Sequence, residues 1–194
     1  LLYKTLGFEL PKFVHIPLIL GTDKTRLSKR HGATSVAEYR KKGYLPEAML
    51  NFLVLLGWGY DDKQQIFSIE EVVQKFSLEK VTKNPAVFDN EKLNWLNGLY
   101  IRNAQVDRIY KLSLTYFLEK KYINQIPSGN EEVKLREIVQ LEKDRLKTLS
   151  QITDYTDFFF TDEIKYEEVS LEKYFNNYDT AIFFENFLQK LNQL

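Results

Sequence analysis

Apolar positions recur at helical spacing over most of this chain. After Ala104, the residues Val106, Ile109, Tyr110, Leu112, Leu114 and Phe117 fall every three or four positions, which predicts a helix with one apolar face. Pro127-Ser128-Gly129-Asn130 marks a break, and a charged helix follows through Val133, Ile138, Leu141 and Leu146. The tail from Phe175 to Leu194 is helical again, with Ile182, Phe183, Phe187, Leu188 and Leu191 apolar. Towards the front, Ser35 with Glu38 forms a capping box, so a short helix runs to about Lys42 and stops at Gly43. Pro46 suits the first turn of the next helix and Gly57 its end. Between them Ala48 to Leu56 is apolar nearly all round, which places that helix at the centre of a core. A second capping box, Ser68 with Glu71, starts another amphipathic helix after a polar turn over Gly59 to Ile66. Asp89 is the N-cap of a helix carrying Leu93, Trp95, Leu96 and Leu99. The exception to the helical pattern is residues 7–20, an extended segment ending in the strand-like run Phe13 to Gly21.

Composition narrows the class. A length of 194 residues suits one large domain or two small ones, and 44% hydrophobic content with no net charge supports a folded core. The chain has no cysteine, which excludes disulfides and thiolate metal sites, and its two histidines, His15 and His31, stand too far apart for a histidine-rich centre. No apolar run reaches the roughly 18 residues of a membrane span, and Leu1-Leu2-Tyr3-Lys4 lacks the pattern of a signal peptide. A cytoplasmic protein is expected. The charge is unevenly spread: residues 1–45 hold nine basic side chains against three acidic ones, so the remainder is acidic.

The densest chemistry is in Asp23-Lys24-Thr25-Arg26-Leu27-Ser28-Lys29-Arg30-His31-Gly32, a basic loop directly after the strand-like run. Open α/β sheets bind ligands outside the carboxyl ends of their strands. Arg offers a planar fork and Lys a mobile point charge, a combination suited to polyphosphate, although a solvated turn has the same composition. Ser28 and His31 alone do not make a nucleophilic array, since no orienting acid or oxyanion hole is indicated; His31 reads as a hydrogen-bond partner that orders the loop. Neither a P-loop nor a dinucleotide fingerprint is present. Phe158-Phe159-Phe160 reads as packing, with base stacking as the less favoured alternative.

The string Arg26-Leu27-Ser28-Lys29-Arg30-His31-Gly32 resembles the second signature of class I aminoacyl-tRNA synthetases, Lys-Met-Ser-Lys-Ser in its consensus form, and the Arg-His-Gly continuation is typical of the glutamyl branch. Gly43-Tyr44-Leu45-Pro46-Glu47-Ala48, Asn51-Phe52-Leu53, Leu55-Leu56-Gly57-Trp58, Phe88-Asp89, Lys92-Leu93 and Trp95-Leu96-Asn97 extend the similarity to about Ile101. Beyond it the pattern, including Arg145-Leu146-Lys147-Thr148-Leu149, is compatible and helical. One departure lies inside the motif, where Arg26 stands for the first lysine.

The resemblance implies a mainly α chain: the end of a Rossmann-type catalytic fold with the signature loop over residues 1–33, a stem-contact helical region over 34–103, and part of an α-helical anticodon-binding domain over 104–194. It implies activation of glutamate with ATP and transfer to tRNA(Glu). Lys29 and Arg26 would meet the ATP phosphates, Ser28 would order the loop, and Arg30 and His31 would complete the ATP-contacting set, Arg30 with the alternative of pairing with protein carboxylates. Magnesium would arrive through ATP, with no metal site in this chain. The first signature of the class, His-Ile-Gly-His, is not found here, so the chain is expected to be a C-terminal piece, helical, monomeric and inactive alone. The rivals are the shortened paralogue that modifies a tRNA base, a glutaminyl enzyme, and a non-catalytic RNA-binding module derived from a synthetase. Helical length after residue 104 argues against the first two.

Overall fold

The structure, a computed structural model, describes residues 1–32, 35–61, 63–161, 168–174 and 178–191. They form two compact units, Leu1–Thr156 and Asp157–Leu194. The first contains α1 (Leu2–Leu6), β1 (Ile19–Leu20), α2 (Val36–Lys41), α3 (Pro46–Leu55), α4 (Ile69–Lys75), β2 (Ala86–Val87), α5 (Asn90–Asn103), α6 (Val106–Glu119), α7 (Asn130–Glu142) and α8 (Ile152–Thr156). The second contains α9 (Glu168–Tyr174) and α10 (Tyr178–Leu191). The mainly helical reading holds. Of the expected tail helix, residues 175–177 and 192–194 lie outside the described residues.

The helix starts follow from their caps. Ser35 Oγ accepts the Glu38 amide at 3.2 Å while the Glu38 carboxylate accepts the Ser35 amide at 3.0 Å. Ser68 and Glu71 repeat the arrangement at 3.1 and 2.9 Å. Asp89 Oδ1 accepts the amides of Glu91 and Lys92 at 2.9 and 3.1 Å. Pro46 occupies the first turn of α3, where a missing N–H costs nothing.

Two expectations need correction. The extended run becomes strand only at Ile19–Leu20, which pairs in parallel with Ala86–Val87. A strand exists only where a neighbour supplies hydrogen bonds, and among the described residues β2 and the chain returning over Thr25 to Leu27 supply them only to residues 18–21; Pro11 and Pro17 have no amide to offer. The upstream apolar side chains Phe13 and Ile16 are consequently exposed, and Leu2–Leu6 is a helical turn that spacing did not indicate. The second correction concerns α3. It buries Ala48, Met49, Asn51 and Phe52, but Leu50 and Leu53 face solvent, so the helix has one core face rather than being enclosed. Gly57 follows its end without adopting a left-handed conformation.

The core beside the sheet is built from Tyr39, Met49, Phe52, Leu56, Phe88, Leu93 and Leu96, with Ile19 and Leu27 packed against it. Phe88 sits 4.9 Å from Phe52 edge-on and 5.6 Å from Tyr39 stacked, centroid to centroid. In the other half of the first unit α6, α7 and α8 pack together and bury Ile109, Phe117, Leu135, Val139 and Ile152. Arg108 of α6 pairs with Glu47 at the start of α3, and Arg136 of α7 bridges Asp107 and Glu132.

Gly43 is the glycine with the closest neighbour. Its φ is +85°, and a Cβ there would lie 2.5 Å from the Leu149 amide nitrogen and 2.7 Å from that of Ser150. Both backbones are fixed, so Gly43→Ala is expected to lower unfolding free energy by about 3 kcal/mol or more, measured by urea denaturation of this chain. A loss below about 1 kcal/mol would contradict that close approach.

Candidate functional site

The basic loop grows out of β1 as a hairpin. Leu20 bridges Arg26 in antiparallel fashion, the Leu27 amide donates to the Ile19 carbonyl at 2.9 Å, and the Gly21 amide donates to Thr25 at 2.8 Å. The Lys24 amide closes a turn onto the Gly21 carbonyl at 3.0 Å, and Lys24 itself has φ of 62°. This is the three-residue hairpin loop in which a type I turn is followed by a left-handed residue. Leu27 anchors the returning strand in the core, and a 3₁₀ turn over Lys29–His31 follows.

His31 braces the whole loop. Its Nδ1 accepts the Ser28 amide at 3.0 Å, which leaves the ring proton on Nε2. Nε2 donates to Asp23 Oδ1 at 3.1 Å and lies 3.3 Å from Thr25 Oγ1. Asp23 also accepts the Thr25 amide and hydroxyl, each at 2.9 Å. The Thr25 amide above all, then His31 and the Thr25 hydroxyl, hold the Asp23 carboxyl at about 2, down from an ordinary 3.8. An acid therefore does stand behind the Ser28–His31 pair, although none was indicated by the sequence. The arrangement is still no nucleophilic array, because the nitrogen 3.1 Å from Ser28 Oγ already accepts the amide of Ser28 itself. The expected ordering role of His31 fits this geometry.

Gly21 makes the bracing possible. A Cβ there would lie 2.6 Å from His31 Cδ2 and 2.8 Å from Nε2. Gly21→Ala is expected to swing the ring away and return the Asp23 titration towards its ordinary value. In the unaltered chain the depressed value means that Asp23 contributes loop stability at any pH above about 3.8 and loses that contribution as pH falls through about 2. Carboxyl chemical shifts followed by NMR check both statements; a midpoint near 3.8 in the unaltered chain would contradict the bracing.

The remaining cations point outward. Arg26, Lys29 and Arg30 are exposed, and among the described residues none of them has a carboxylate partner. The alternative pairing of Arg30 with a protein carboxylate is thus not seen among those residues. Ser28 is half-buried and tied to His31. One loop thus brings together all the sequence-chosen residues, Arg26, Ser28, Lys29, Arg30 and His31, with three positive heads that hold no carboxylate among the described residues and two side chains shaping the backbone. Asp23, Thr25 and Gly21 were missed as contributors; an Asp and a Thr within a turn ahead of a histidine is the only local signal they leave. Among the described residues no three His, Asp or Glu side chains gather to hold a metal, and no helix is long and apolar enough to cross a membrane.

Residues 1–95 match the family described as tRNA synthetases class I (E and Q), catalytic domain, and residues 108–194 match an anticodon binding domain. The chain belongs to the class I aminoacyl-tRNA synthetases. It is 49% identical over 168 residues to a glutamate–tRNA ligase of Carboxydothermus hydrogenoformans, covering 87% of this chain and 35% of the relative. It is 43% identical over 195 residues to that of Moorella thermoacetica, covering all of this chain and 40% of the relative. The crystal structure of a glutamate tRNA ligase from Elizabethkingia meningosepticum, in complex with its amino acid, superposes with a TM-score of 0.77 at 30% identity, covering all of this chain and 41% of that one. This synthetase chain therefore spans about two fifths of the length of the relatives it matches.

Proposed function

We propose that this chain is part of a glutamate–tRNA ligase and supplies its ATP-contacting signature loop and tRNA-binding helices. The observation that carries the reading is the loop itself. Arg26, Lys29 and Arg30 are exposed and unpaired among the described residues, on a backbone held by the His31–Asp23–Ser28 bonds. Such a set fits a triphosphate, whose charge it would otherwise leave uncompensated. Glutamate's carboxylate would attack the α-phosphate of ATP and expel pyrophosphate, which carries the departing negative charge. Lys29 and Arg26 stabilise that charge as it develops, Arg30 adds a third positive head, and Ser28 and His31 keep the loop in shape. Magnesium enters with ATP. Glutamate then passes to the tRNA. The similarity to glutamate–tRNA ligases over the whole chain disfavours a non-catalytic RNA-binding module.

The layout proposed is residues 1–33 as the edge of the catalytic fold, 34–103 as the stem-contact region, and 104–194 as the anticodon-binding helices, in a monomeric cytoplasmic enzyme. Arg40, Lys41 and Lys42 are exposed at the end of α2 and have no ion-pair partner among the described residues. They suit phosphates of the tRNA inner face. Phosphate contacts release counterions, so tRNA affinity falls with salt, and reversing Lys41 and Lys42 to Glu is expected to weaken several tRNAs alike by about tenfold and flatten the salt slope. Filter binding across a salt series checks this; a loss confined to one tRNA would mean that these lysines read sequence instead. Anticodon discrimination belongs to the distal helices, and nuclease footprinting by the full-length enzyme without protection of the anticodon loop would contradict that placement.

A further inference from the structure

A helix leaves its last carbonyls without intrahelical donors. At the end of α2 three successive carbonyls are served from elements far along the chain. The Lys41 carbonyl accepts the Tyr116 hydroxyl of α6 at 3.4 Å. The Lys42 carbonyl accepts Ser150 Oγ at 2.9 Å. The Gly43 carbonyl accepts the Leu149 amide at 3.0 Å and Asn97 Nδ2 at 3.3 Å. Tyr116, Leu149 and Ser150 all lie in the stretch that matches the anticodon binding domain.

The other end of α2 belongs to the loop. Its cap, Ser35, stands three positions beyond Gly32. Midway along, Tyr39 is buried in the cluster against which Ile19 and Leu27 of the hairpin pack. Tyr39 stacks on Phe88, and the Phe88 amide donates to the Leu20 carbonyl at 2.8 Å. A six-residue helix is a rod of about 9 Å, too short to bend between its two attachments. A shift of its clamped end is therefore transmitted to Tyr39, and from there to the strand pair that holds the loop.

We propose that Ser150 and Tyr116 are positioning residues for the signature loop. By holding the end of α2 they fix its seating against Leu27, and with it the placement of Arg26 and Lys29. The anticodon-side elements thereby set how the loop meets its ligand. The nature of that ligand rests on the ATP reading above; the mechanical link does not.

Hydrogen exchange of this chain, without nucleotide, tests the link directly. In the double variant Ser150→Ala/Tyr116→Phe the amides of Gly21, Leu27 and His31 are expected to exchange about tenfold faster, with the α7 amides unchanged. Ser150→Thr, which keeps a hydroxyl, restores the original rates. Unchanged loop rates, acceleration limited to residues 41–45, or equal acceleration in α7 would each overturn the proposal. In the full-length enzyme the double variant is expected to raise KM for ATP in pyrophosphate exchange severalfold, with kcat changed less. Faster loop exchange with unaltered KM, where Lys29→Ala does impair the reaction, would also overturn it. If Lys29→Ala has no effect either, the ATP reading fails while loop exchange still supports the mechanical link.

Discussion

Lys29→Ala in the full-length enzyme is expected to slow glutamate-dependent ATP–pyrophosphate exchange by on the order of 10²-fold or more, the usual loss when one charge-stabilising contact is removed from a transition state. The side chain is exposed and holds no carboxylate among the described residues, so its removal should leave folding intact. Thermal unfolding of the variant chain within about 1–2 °C of the original would confirm that the loss is chemical. Glutamate binding should change little, because the ammonium is assigned to phosphate. An exchange rate within a fewfold of the original would remove Lys29 from the reaction.

Asn97→Leu is expected to be the most destabilising change away from Gly43. Asn97 is fully buried in α5 and ties three segments together. Its Oδ1 accepts the Leu45 amide at 2.8 Å, and its Nδ2 donates to the carbonyls of Lys147 at 2.6 Å and Gly43 at 3.3 Å. Leucine has similar bulk but leaves the Leu45 amide and the Lys147 carbonyl without these partners, at about 1–3 kcal/mol each. A total near 4 kcal/mol corresponds to a fall in Tm of roughly 10 °C for a unit of this size. Denaturant unfolding of the chain checks it, and a loss under about 1 kcal/mol would mean that Asn97 is not the tie between α5, the α2–α3 turn and residue 147.

Those two residues differ in how far the sequence revealed them. Lys29 was legible as a candidate through the signature string, although the string alone left open whether Arg30 pairs with a protein carboxylate. The helix starts at Ser35, Pro46, Ser68 and Asp89 were legible because a cap is formed by residues within four positions of one another. Gly43 was legible as a stop, but the clash that makes it irreplaceable comes from Leu149, more than a hundred positions away. Asn97 stood in the string Trp95-Leu96-Asn97 of the resemblance and showed as an amide inside the apolar stripe of α5, but its role as a tie was not legible, since its partners are fixed by tertiary packing. The length of β1 was overestimated for the same reason: an apolar run reports which residues can form a strand, while pairing depends on where a partner ends. Within the loop, His31 was readable as an ordering residue, but the role of Gly21 depends on a hairpin that brings residues 21 and 31 together.

The most direct measurement is the product balance of the full-length enzyme given glutamate, ATP and tRNA. Formation of glutamyl-tRNA with one AMP and one pyrophosphate per ester, abolished together with pyrophosphate exchange when Lys29 and Arg26 are both replaced by alanine, is the predicted result. Release of ADP and phosphate, or undiminished glutamyl-tRNA synthesis by the doubly substituted enzyme, would contradict the assignment of this loop to glutamate activation.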